Sequence, residues 1–110
     1  MTDKIVVLVT CGSRAEAKRI AKSLVETRLA ACVNILRAPI ASVYRWKGKV
    51  ESATETLLVI KTARSKFPAL ERAIKRMHSY DVPEIIALPI AAGSRDYLHW
   101  IAESVRAGHK

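Results

Sequence analysis

Three segments of strand length in this chain are apolar on consecutive residues: Ile5-Val6-Val7-Leu8-Val9, Leu57-Leu58-Val59-Ile60, and Ile85 to Ile90. A strand presents alternate side chains to opposite faces, so such segments require cover on both sides of their sheet. Any fold proposed for the chain has to supply that double cover.

The remaining segments narrow the choice. After the first strand, Ser13-Arg14-Ala15-Glu16 reads as a capping box, in which Ser13 bonds the third amide and Glu16 reaches back. Ala17, Ile20, Ala21, Leu24 and Val25 follow at helical spacing, placing a first helix up to about Arg28. Leu29 to Leu36 reads as a second strand broken near Pro39, and Ile40 to Trp46 alternates between two faces. Lys47-Gly48 marks a turn, and the chain returns along Val50 to Lys61. Ser65 is placed to cap a second helix with Pro68 in its first turn, and Phe67, Leu70, Ile74 and Met77 mark its buried side. The last strand leads to a third helix opened by Ser94, using Tyr97, Leu98, Ile101, Ala102 and Val105, and ended by Gly108.

The order β-α-β-β-α-β plus a terminal helix predicts an α+β, ferredoxin-like split βαβ sheet with strand order 4-1-3-2. Two helices cover only one face of that sheet. The other face needs the third helix, another chain, or both, so the sequence predicts oligomerisation. The same topology brings Cys11, His78, Tyr80, Glu84 and the hairpin tip with Trp46 to one edge. Cys32 and Lys61 fall at the opposite edge.

At 110 residues the chain is expected to be a single domain, residues 1–110. No apolar run approaches a membrane span, no signal peptide is visible, and two cysteines are too few for a disulfide framework. These features predict a soluble cytoplasmic protein with no membrane partner. The charge is high, 19 Lys and Arg against 10 Asp and Glu. Arg14, Lys18 and Lys22, and Arg72, Lys75 and Arg76, lie on helices rather than in a basic tract, so solvated helix faces explain them more simply than a nucleic-acid surface. The central strands also lack the aromatics on which a ferredoxin-like RNA binder stacks bases. No specific nucleic-acid partner is expected.

Catalytic motifs are absent around the three histidines, His78, His99 and His109, and no nucleophile elbow occurs. Cys11 precedes a helix N-terminus, but a phosphate-loop arginine would fall on Ala17. The topology allows Cys11, His78 and Glu84 to converge. A thiol with an imidazole is soft enough for copper or zinc. The alternative for these residues is purely structural, with His78 ending a helix and Glu84 paired.

The chain resembles the CutA divalent-cation-tolerance family over nearly its full length. The resemblance rests on Val7-Leu8-Val9-Thr10, on Leu29 to Ile35, and on Ser42-Val43-Tyr44-Arg45-Trp46-Lys47-Gly48-Lys49. Glu55, Ile60-Lys61-Thr62, His78 to Ile86 and Tyr97 to Ile101 continue it. It implies a non-enzymatic homotrimer that binds copper or another divalent metal ion in the response to metals. Cys32, Tyr44, Trp46, Glu55, Lys61, His78, Tyr80, Pro83 and Glu84 match the family pattern. Val9 stands where some members carry a strand-one thiol, with Cys11 displaced by two, and Ser79 and Met77 depart from the pattern beside His78. Cys32 and His78 are then the best soft donors, meeting across a subunit boundary, with Glu84 as a hard third and Cys11 as the displaced thiol. The resemblance also extends to the architecture of PII signal proteins. That gives an alternative: a trimeric sensor holding a small anionic metabolite between subunits with Tyr44, Trp46, Lys61 and Tyr80.

Overall fold

The structure, a computed structural model, describes residues 1–106. The expected helix end at Gly108 and the third histidine, His109, lie outside the described residues. β1 (Lys4–Cys11) is followed by α1 (Arg14–Glu26), β2 (Cys32–Ile35), β3 (Ile40–Trp46) and β4 (Lys49–Ala63). A 3-10 turn (Arg64–Lys66) leads into α2 (Phe67–Met77), then β5 (Ile85–Pro89) and α3 (Arg95–Ser104). No helix among them is long and apolar enough to cross a membrane.

The sheet runs β2-β4-β1-β5, all antiparallel, with β3 continuing along β4. With β2 and β3 counted as one strand, this is the expected 4-1-3-2 order. The strand is in two pieces because Ile35 pairs with Leu58 and Ile40 with Glu55. Five steps on one side oppose three on the other, and the surplus, ending at Pro39, loops out of the ladder. Beyond the break the β3–β4 hairpin runs clear of the helices, giving the molecule extents of 44 × 26 × 25 Å. Its tip is a two-residue turn with both central residues left-handed, Lys47 at φ 51° and Gly48 at φ 81°. That is the type I′ geometry which matches strand twist, and glycine adopts it without a Cβ penalty.

α1 and α2 pack on one face. Val7, Val9, Leu58 and Ile60 from the strands meet Ile20, Leu24, Leu70 and Ile74 from the helices, and all are fully buried. Each such side chain contributes about 1.5–3 kcal/mol by leaving water. The start of α2 differs from expectation: Ser65 lies within the 3-10 turn and makes no side-chain cap, so Pro68 opens the helix from a turn instead.

The second face is only partly covered. Leu98 and Ile101 of α3, with Val105 just beyond its end, pack on Ala31 and Ala63 at one end. In phase with these on the other strands stand Val6 and Leu8 of β1, Val59 of β4, and Ile86 and Leu88 of β5. Ile86 and Leu88 are each 47% exposed, although strand pairing puts Leu8 directly beside Ile86 and Val59. One subunit therefore leaves an apolar stripe across the middle of its own sheet.

Candidate functional site

β1 ends where α2 ends, and four side chains meet there. Cys11 shares the phase of Ile5, Val7 and Val9, so its thiol points under the helices and is fully buried. His78 follows the last turn of α2. Its backbone N–H bonds Ile74 O at 2.8 Å, while extended dihedrals swing the ring inward to zero side-chain exposure. His78 Nε2 lies 2.8 Å from the Thr10 carbonyl, and Nδ1 lies 3.1 Å from the Tyr80 N–H. A carbonyl can only accept and an N–H can only donate. The neutral ring is therefore protonated on Nε2 and presents its Nδ1 lone pair.

Glu16 completes the cluster. Ser13 does cap α1, accepting the Glu16 N–H at 3.2 Å, but the carboxylate does not close the expected box. It is buried, with Oε2 3.4 Å from the Ser79 N–H and 3.3 Å from His78 Nδ1. Ligand atoms of Cys11, Glu16 and His78 all lie within 4.8 Å of one another. Burial, then the Glu16 and Glu55 carboxylates, push the Cys11 thiol up to about 12.

This donor set fits a soft or borderline cation. Thiolate, imidazole and carboxylate are zinc and copper ligands, and the Nε2–H···O=C bond from Thr10 is the outer partner that fixes a ligating histidine. Nδ1 and Oε2 face one another at 3.3 Å while each accepts a backbone N–H, from Tyr80 and Ser79, so Nδ1 would exchange the Tyr80 N–H for an ion bound here. Donors around one small ion stand about 3.5 Å apart, so side-chain movements on the order of 1 Å would close the set.

Tyr80 roofs the cluster. Its ring sits 4.7 Å from that of His78 and closes on Gly12, where a Cβ would come within 3.1 Å of the phenol oxygen. A side chain there would push the Tyr80 ring away by a few tenths of an ångström. The phenol donates to Glu55 Oε2 at 2.8 Å, and burial together with that bond raises its pKa. Outside Tyr80 lies a groove of about 720 Å³ whose lining includes Tyr44, Trp46, Glu55, Tyr80, Asp81 and Glu84.

The other sequence-derived residues are distributed as follows. Glu84 is exposed on the groove wall, and Glu16 occupies the carboxylate position beside Cys11 and His78. Tyr44, Trp46 and Tyr80 share the groove. Lys61 does not: it pairs with Cys32 across the strands at the far end and hydrogen-bonds Asn34. Cys32 is in phase with Val6 and Lys61, opposite to Cys11, and its thiol neighbours Tyr97, whose pKa burial and that thiol both raise. Cys32 and His78 thus occupy opposite faces and opposite ends of one subunit. Glu16 is the residue that sequence reading missed, since it served there only as a capping acid. A signal was available: Glu16, Ile20 and Leu24 are spaced i, i+4, i+8, which puts the acid on the buried stripe.

Residues 5–104 match the family model of the CutA1 divalent ion tolerance protein. The chain belongs to the CutA1 divalent ion tolerance family. It is 52% identical over 99 residues to the divalent-cation tolerance protein CutA of Thermus thermophilus, covering 90% of this chain and 95% of that one. A chloroplastic CutA of Arabidopsis thaliana is 51% identical over 102 residues, 93% of this chain, but the match spans only 56% of the plant protein. The structure superposes with a TM-score of 0.90 on a CutA of Archaeoglobus fulgidus at 46% identity, covering 94% and 99% of the two chains. That protein is described as periplasmic, and the Arabidopsis relative is chloroplastic. The cytoplasmic expectation is therefore withdrawn: family membership does not place this CutA-family chain in the cytoplasm.

Proposed function

We propose that this CutA-family chain is a non-enzymatic, homotrimeric metal-binding protein serving tolerance to divalent cations, with copper or zinc held at Cys11, Glu16 and His78. The cluster of those three buried donors within 4.8 Å carries the reading. Names of the relatives support the cation, and the uncovered apolar stripe supports the trimer. When bound, the ion would supply charge that the buried carboxylate lacks. Cys11 has to lose its proton for this, and a thiol raised to about 12 does so only against a strongly thiophilic ion. Hard ions such as magnesium offer no such compensation. Affinity should accordingly fall as pH drops and the thiol holds its proton.

Copper and zinc titrations of the parent, Cys11→Ser, His78→Gln and Cys32→Ser test the assignment. Cys11→Ser and His78→Gln are each expected to weaken binding at least tenfold, while Cys32→Ser leaves it unchanged. Loss of binding in Cys32→Ser alone would move the site to the far end of the sheet, and equal binding by all four proteins would make the cluster structural.

A further inference from the structure

The two helices that cover one face of the sheet carry a dense set of cations on their outer sides. Arg14, Lys18, Arg19 and Lys22 of α1 and Arg72, Lys75 and Arg76 of α2 are all exposed. The acids on the same helices are Glu16, buried in the cluster, Glu26 at the far end of α1, and Glu71, which pairs with Lys75 at 3.3 Å. None of the other six cations forms an ion pair among the described residues. Asp81 and Glu84, beyond the end of α2, line the hairpin groove instead. α1 begins where α2 ends, as the approach of Glu16 to His78 shows, so the two sets of cations gather towards that end of the helix layer. Together they form one plate about 20 Å long, since a helix rises about 1.5 Å per residue and packed helices lie about 8–10 Å apart. Solvation explains the exposure of these side chains, but not the shortage of acids among them. Arg14, Lys18 and Lys22 stand at i, i+4 and i+8, where like charges repel and weaken the helix. A merely solvated face would interleave acids, as Glu71 does with Lys75.

We propose that this plate binds inorganic polyphosphate, a flexible linear polyanion that runs over the outer helices of more than one subunit. In the homotrimer proposed above, on which this inference rests, the apolar stripe is buried and the opposite, helical face points outward in every copy. Nucleic-acid bases have nothing to stack on there. Phe67 of α2 packs against the core, and the exposed aromatics Tyr44, Trp46, Tyr97 and Trp100 belong to the hairpin and α3. A bilayer is flat and meets one of the outward plates, with no aromatic or leucine anchor among the exposed side chains of α1 and α2. Duplex DNA is stiff over about 150 base pairs and likewise touches one plate. A phosphate chain bends round the assembly, and each cation it meets releases counterions.

The test is titration of the intact protein with end-labelled polyphosphate, read by fluorescence anisotropy over a range of salt. A chelator is present, so that no metal ion bridges phosphate to the cluster. At equal phosphate concentration, chains of about 100 phosphates are expected to bind about tenfold more tightly than chains of about 10, because the long chain reaches a second plate. Affinity should fall steeply with salt. Arg14→Gln/Lys18→Gln/Lys22→Gln should weaken binding about tenfold or more and flatten that salt dependence. Arg37→Gln/Lys49→Gln/Arg95→Gln removes the same charge at exposed positions off these helices, and should change affinity less than about twofold. Equal losses in the two variants would show that net charge alone acts, and would overturn the proposal. So would equal affinity for the two chain lengths, or tighter binding of duplex DNA, of single-stranded DNA of matched charge, or of phosphatidylserine–phosphatidylcholine vesicles. Sedimentation equilibrium on the same samples separates the two readings: a trimer that does not bind overturns this proposal alone, whereas a monomer overturns the assembly as well.

Discussion

Replacing both Ile86 and Leu88 by glutamate is expected to take the assembly apart into folded monomers. Both side chains lie on edge strand β5, pointing away from α1 and α2, and each is about half exposed in one subunit. The fold of the subunit therefore tolerates the change. In a trimer that buries the stripe of Val6, Leu8, Val59, Ile86 and Leu88, six carboxylates would enter an apolar interface together. Desolvating each without a partner costs several kcal/mol, far more than an interface of this kind can absorb. Sedimentation equilibrium at micromolar concentration should show the parent as a trimer and the variant as a monomer with unchanged circular dichroism. A variant that stays trimeric would place the interface elsewhere.

Stability is expected to fall steeply at alkaline pH, and Cys11 to account for much of the fall. Its folded pKa of about 12 lies above the ordinary thiol value of 9.0, because burial and the Glu16 and Glu55 carboxylates disfavour the thiolate. The unfolded chain releases this proton first. The contribution is fully present below pH 9 and is lost as pH rises towards 12. Its size is on the order of 2 kcal/mol after allowance for solvent screening near the sheet edge. Tyr80 is raised by burial and by Glu55 and acts in the same direction. Urea midpoints between pH 8 and pH 11 should fall less for Cys11→Ala than for the parent. Parallel curves would show that the thiol ionises freely in the folded protein.

The sheet was legible because its signals are local. Consecutive apolar strands announce a doubly covered sheet, and Lys47-Gly48 announces a tight hairpin. The uncovered stripe followed from counting helices against faces. The cluster was harder to read because its members come from three elements whose meeting depends on how α2 ends. Nothing local says that the His78 ring turns inward to the Thr10 carbonyl. Glu16 fitted a capping box so well that its place on the buried stripe went unused. Pairing Cys32 with His78 across a subunit boundary rests on donor chemistry and the family resemblance; within one subunit, strand phase puts Cys11 and Cys32 on opposite faces.

Native mass spectrometry of protein purified without chelator, then given one equivalent of zinc or Cu(I) per chain, tests the central claim most directly, because it reports subunit number and bound ion together. The expected species is three chains carrying three ions, with the ions lost in Cys11→Ala and in His78→Gln while the trimer persists. Three chains that take up no ion, or a metal stoichiometry untouched by either substitution, would contradict the account.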